Sequence, residues 1–298
     1  MTVRVINTVP EHEPVMVLEV MSHLVTDPGG IYIDGTMGLG GHSKVILSSL
    51  NKNGHLIGID RDESALSVAK NNLPEISNNF STYNQSYANV DMIINDFGSK
   101  CVNGILLDLG LSSAQLSDQN RGFSYNGDGA LDMRFNRNDS ETAEQLLLSK
   151  TEDEIADFIR LYSDERYARK IAYNIKRAGQ MKTVADLKEA IRLSTPPNKR
   201  NRTFARVFQA IRIMVNDELD QLKFFLDKFI NLLCIEGRIV IISFHSLEDR
   251  LVKIAFKELK FEGQLSIMTK RPLIATSDEI AENSRSKSAK LRAGERIK

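Results

Sequence analysis

Three short apolar runs in this chain each end on an aspartate: "IYID" at 31–34, "GHLIGID" at 54–60 and "GILLD" at 104–108. Runs this short, rich in Ile and Leu, read as strands buried on both faces. Helical spacing fills the gaps between them, over 42–50, 62–73 and 89–97, and precedes them over 13–25. A weaker strand is expected at 80–86, and Asp62 is placed to cap the helix expected over 62–73. Strands that alternate with helices predict a parallel sheet covered on both sides. In such a sheet Asp34, Asp60 and Asp108 share the carboxyl edge, where open α/β sheets bind ligands.

The alternation stops after 110. Residues 111–139 are polar and rich in Gly, Asn and Asp, and read as a long loop. Helices alone are expected at 140–150, 151–162, 163–178 and 183–194, and one long helix near 203–232. Thr151 with Glu154, and Thr183 with Asp186, match the capping box. A strand returns at 237–244, followed by a helix at 247–259 with Ser246 and Asp249 as its expected box. The sequence therefore predicts a sheet domain in two pieces, 1–135 and 209–298, with an all-helical insertion at 136–208.

Net charge is zero, yet residues 160–212 carry fourteen Lys and Arg against four acids, a net of +10. The remainder is correspondingly acidic. A split of this kind points to a polyanion held by the helical part. No run of eighteen apolar residues occurs, and the N-terminus lacks an apolar leader core, so a cytoplasmic protein with no membrane contact is expected. Cys101 and Cys234 offer neither zinc spacing nor a disulfide framework, and no metal is expected.

Four glycines, Gly35, Gly38, Gly40 and Gly41, follow the first strand. They do not form a dinucleotide fingerprint, since position 43 is Ser, and no Gly-Lys-Ser/Thr of a P-loop follows. Asp60 ends the second strand 22 residues after Gly38, where an acid can accept hydrogen bonds from both ribose hydroxyls of an adenosine. Asp34 and Asp108 would flank the glycine loop, which suits a ligand with cationic parts and repels a pyrophosphate. S-adenosylmethionine is the expected ligand, and a nicotinamide dinucleotide the alternative.

Longer blocks carry a resemblance: "GGIYIDGTMGLGGHS" (29–43), "IGIDRDESAL" (57–66), "GILLDLGLSSAQL" (104–116), "RGFSYNGDGALDMR" (121–134), "FQAIRIMVNDEL" (208–219), "ISFHSLEDRLVK" (242–253) and "SAKLRAGERI" (288–297). In these the chain resembles the bacterial small-subunit ribosomal RNA cytosine-N4 methyltransferase family. The resemblance implies a Rossmann-like S-adenosylmethionine methyltransferase sheet with a helical insertion that grips RNA. It places the cofactor on Gly40, Gly41, His42, Asp60, Tyr87, Asp108 and Gln115. Tyr87 stands where the family usually has Phe, and "NRTFARVFQA" (201–210) departs from its usual His-Pro-Ala-Thr-Arg form. The implied substrate is small-subunit ribosomal RNA; self-association stays open.

The implied reaction methylates the exocyclic amine of one cytidine. Asp108 and the turn through Ser112 and Ser113 are the candidates to accept hydrogen bonds from that amine. Arg121 and Arg134 are candidate phosphate contacts, Phe123 and Tyr125 candidate stacking partners, and His245 a candidate contact to the cytidine or its phosphate. Neither cysteine lies near the strand ends, so a thiolate mechanism at cytosine C5 is not expected. A non-catalytic RNA-binding module remains the third reading.

Overall fold

The computed structural model describes residues 14–139 and 141–298, and leaves the Ser113 side chain outside the description. Residues 1–13, on which the expectation about a leader rests, also lie outside it. Among the described residues the chain forms one sheet of seven strands: β1 (Ile31–Asp34), β2 (His55–Asp60), β3 (Phe80–Asn84), β4 (Val102–Asp108), β5 (Leu233–Ser243), β6 (Leu265–Ile267) and β7 (Lys290–Arg296). The order is β3-β2-β1-β4-β5-β7-β6. Strands β1 to β5 run parallel, and β7 lies antiparallel between β5 and β6.

Side chains alternate across the sheet, so each parallel strand supplies both cores. Ile33, Ile57 and Ile105 face Phe225, Phe229 and Phe256 on one side. Tyr32, Leu56 and Leu106 face Val20, Leu24 and Ile46 on the other. A third core belongs to the helices Ala143–Ser149, Glu152–Ser163, Ala168–Ala178, Val184–Ser194 and Arg200–Asn216, packed through Leu146, Ile159, Ile171, Leu187 and Ile211. Phe123, Leu131 and Met133 of the long loop are buried in it too. Thr142, Thr151 and Thr183 close capping boxes at three of these helices.

Several expectations change. The long helix breaks into Arg200–Asn216, Glu218–Leu226 and Phe229–Leu232, and the first break falls where Asp217 turns left-handed at φ 52°. Asn216 explains the stop: its side chain donates to Met133 O and accepts from Phe135 N, and Arg212 bridges the break to Glu218. The helix expected from 163 begins at Ala168, after Asp164 ends its predecessor in a left-handed turn. The last long helix, Ser246–Phe261, is capped by His245 and Glu248 rather than by Ser246 and Asp249. Strands β6 and β7 were not expected. The charges of β7 hid it, since Arg292 pairs with Asp249 and Glu295 with Arg238 at the sheet, and β6 is only three residues long.

The cysteines also require a correction. Cys101 and Cys234 are joined by a disulfide across 133 residues. The register sets Val102 beside Leu233, which brings their neighbours together, a meeting no local spacing could show. The bridge sits at the amino end of β4, away from the aspartates. Among the described residues no helix is long and apolar enough to cross a membrane.

The long loop is tied down by charge. Arg121, which the sequence offered to RNA phosphates, is buried and donates to Asp62 at 2.8 Å and to the carbonyls of Arg134 and Phe135. Removing one partner of a buried pair strands the other charge, at about 3–5 kcal/mol. We expect Arg121→Ala to lower the urea-unfolding free energy by that amount; a loss under ~1 kcal/mol would mean that the pair is not structurally important.

Candidate functional site

The strand ends are not level. Asp34 lies opposite Gly58 and Leu106, so Asp60 and Asp108 each stand two residues farther along, about 7 Å. The glycine loop leaves β1 below them and passes between. Gly35 N donates to Leu106 O and Met37 N to Ile59 O, which stitches the loop to both neighbouring strands. Gly38 (φ 52°) and Gly40 (φ 89°) take the left-handed conformation that a side chain disfavours. The loop ends at the helix Gly41–Ser49, whose Gly41 and His42 line the crevice above it.

Asp34 is therefore sealed beneath the site and is not on its wall. Its carboxylate accepts from Ser43 Oγ at 2.7 Å and from Thr36 N at 3.2 Å, and burial raises its pKa. It anchors the loop and the helix start; of the two aspartates expected to flank a ligand, Asp108 is on the wall, with Asp60, and Asp34 is not.

Asp60 accepts from Gly38 N at 2.6 Å and from Asp62 N at 2.8 Å. Burial pushes its pKa up to about 6. Asp108 is held by its backbone N–H, which donates to Thr36 Oγ1 at 2.6 Å. Its Oδ1 is buried with no hydrogen-bond partner, and its Oδ2 lies 3.5 Å from His42 Nε2, which is likewise unpartnered. Burial works against a proton on His42, but Asp108 and Asp34 outweigh it and raise the pKa.

Tyr87 lines the crevice and meets Phe225 edge-on at 5.8 Å. Burial, reinforced by Glu218 and Glu248, keeps its hydroxyl protonated. Gln115 also lines it, but both its polar atoms serve the protein: Oε1 accepts from Ser112 N and Nε2 donates to Asp62. Ser112 is on the wall and its Oγ caps the short helix Ser113–Ser117. The Ser113 side chain lies outside the described residues.

Arg134 and His245 are not among the wall residues. Arg134 donates to Asp132 and to Asp139 O, and His245 caps its helix by accepting from Glu248 N. Phe123 is packed in the helical core and Tyr125 against Phe204. The wall instead takes Phe244 and Glu248, with Arg61, Phe135, Glu218 and Arg285. Glu218 was missed because it lies within the one long helix expected near 203–232, and Glu248 because "SLEDR" reads as a helix start. Glu218, His245 and Glu248 cluster closely enough for an ion. However, Arg212 takes both oxygens of Glu218, and two backbone N–H groups take Glu248 Oε2. Against the upward pull of burial, His245 and Arg212 hold Glu248 below the usual carboxylate range.

The crevice and its open mouth together hold about 1140 Å³ of atom-free space. Fold and wall together define an α/β protein that binds a nucleoside-type ligand where the strand order reverses between β1 and β4. The chain belongs to the MraW methylase family, whose model matches residues 10–297. It is 43% identical over 306 residues to the ribosomal RNA small subunit methyltransferase H of Caldicellulosiruptor saccharolyticus, covering 96% of this chain and 99% of that one. It is 45% identical over 292 residues to the protein of that name from Kosmotoga olearia, covering 96% and 97%. With the protein of that name from Thermosipho africanus it shares 42% over 291 residues, covering 96% and 98%.

Proposed function

We infer that this protein transfers a methyl group from S-adenosylmethionine to the N4 amine of a cytidine in small-subunit ribosomal RNA. The observation that carries the reading is the crevice between Asp60 and Asp108 on a sheet of this family. Asp60, fixed by two backbone N–H groups, keeps lone pairs for the two ribose hydroxyls. Tyr87 offers a ring face to adenine, and the first-turn N–H groups at Gly41 and His42 suit the methionyl carboxylate. A dinucleotide would need a second parallel half beyond β5, and antiparallel β7 occupies that place. Asp60, Asp108, Glu218 and Glu248 on the wall would also repel a pyrophosphate.

When bound, the donor supplies an electrophilic methyl on a sulfonium. The protein must then align the amine and exclude water, since the amine's lone pair is delocalised into the pyrimidine ring. Asp108 Oδ1, buried and without a partner, is the acceptor for the amine N–H. The helices of 136–208 form the RNA-gripping part, in the cytoplasm, and the rest forms the methyltransferase domain. Exposed Arg166, Lys170, Arg177, Lys199 and Arg202 supply its positive face.

We expect Asp108→Asn to slow single-turnover methylation by about 10²–10⁴-fold, measured by tritiated methyl incorporation into unmethylated small subunits; an undiminished rate would remove its role. Mass spectrometry of the product locates the nucleoside, and any site other than cytidine N4 overturns the reading.

Only the ionised form of Asp60 accepts both ribose hydroxyls, and its fraction falls as pH drops through about 6. Donor affinity should therefore hold above that pH and decline below it, by up to about tenfold per unit. Titration calorimetry of Asp60→Asn should show weak binding without this dependence.

Alanine at Lys199 and Arg202 together should weaken RNA binding and reduce the salt slope by about two. A slope equal to wild type would place the RNA elsewhere.

A further inference from the structure

The reading above gives Asp108 a task that a carboxylate performs poorly alone. An ordinary carboxyl group is too acidic to keep a proton at neutral pH, and a proton acceptor works best when its affinity matches the working pH. An imidazole has that affinity. One stands beside Asp108: His42, on the first turn of the helix Gly41–Ser49, with Nε2 3.5 Å from Asp108 Oδ2. His42 Nε2 and Asp108 Oδ1 are both buried, both without a hydrogen-bond partner, and their residues share the crevice wall. Leaving two buried polar atoms unsatisfied is costly, and calls for an explanation from function.

We propose that His42 and Asp108 act as one proton-accepting pair, in which Asp108 receives the hydrogen bond of the target amine and His42 supplies the site where the lost proton is held. The inference rests on the methylation reading. The amine nitrogen's lone pair forms the N–C bond, and the C–S bond pair stays on sulfur, leaving a neutral thioether. The N–H bond pair returns to nitrogen as its proton passes to the carboxylate and is shared with His42 Nε2. Charge is conserved: the sulfonium loses its positive charge, and the pair, net −1 before transfer, is neutral once it holds the proton.

The same arrangement readies the site. A sulfonium beside Asp108 competes with a proton on His42 for the same negative charge, so the loaded crevice holds His42 neutral and able to accept. Three charged groups stand around the pair: Asp34 at the end of β1, Glu279 on the helix Ser277–Glu282, and Arg285, which faces Asp108; the uncharged Ser43 on the imidazole's own helix holds Asp34. None of them changes between the two sulfur ligands compared below.

The test compares S-adenosylmethionine with S-adenosylhomocysteine, which shares its ribose and amino acid but lacks the positive sulfur. Calorimetry from pH 6 to 8.5, in buffers of different ionisation enthalpy, reads affinity and protons released. Asp60 affects both ligands alike and cancels in their ratio. For wild type the affinity ratio, sulfonium over thioether, should rise with pH, with extra protons released on sulfonium binding. In His42→Asn and His42→Gln the ratio should be flat, while thioether binding shows that the fold is intact. Single-turnover rates on small subunits should fall by roughly 10²-fold in both variants, and lose the wild-type rise with pH. A ratio as pH-dependent in the variants as in wild type, or an unchanged pH–rate profile, overturns the pair. Wild-type protein that leaves cytidine N4 unmethylated overturns the underlying function instead.

Discussion

One buried carboxylate holds the two halves of this protein in register. Asp62, two residues past the end of β2, accepts from Ser64 N and Oγ, from Gln115 Nε2 and from Arg121. Against the pull of burial, these partners hold it ionised below the usual carboxylate range. Through Gln115 it fixes the turn after β4, and through Arg121 the long loop that enters the helical core. A charge this deep persists only when fully paired, so the site wall and the helical layer are fixed together.

Asn216 and Arg61 extend the same logic. Asn216 is fully buried and ties the end of its helix to Met133 and Phe135. Arg61 donates to Asn216 O and to Asp139, and lies over the Phe135 ring. The long loop is polar because it is a connector, with Arg121, Asp132, Arg134 and Asp139 each bonded within the protein. That is why Arg121 and Arg134, which looked like phosphate contacts, turn inward, while exposed cations remain on the helices.

The crevice separates two kinds of carboxylate. Asp34 is saturated by neighbouring donors and serves the fold. Asp60 and Asp108 reach two residues farther and keep capacity for a ligand. The difference is one of height on the sheet edge, set by where β1 stops and the glycines begin.

The apolar runs alone determined the parallel sheet, its edge and the position of the glycine loop, because strand burial and helical periodicity are local properties. Asp60 and Asp108 were legible there as strand ends, whereas His42 and Tyr87 were singled out by the family resemblance. Glu218, Glu248, Phe244 and Arg285 were not, since their place on the wall comes from chain segments over 100 residues away. Only the tertiary structure decided which acid is sealed and which open, that Cys101 meets Cys234, that β7 inserts beside β5, and that Arg121 is buried. Each of these depends on register and long-range pairing, and the energy of such contacts belongs to two distant stretches at once, so neither stretch reveals it by itself.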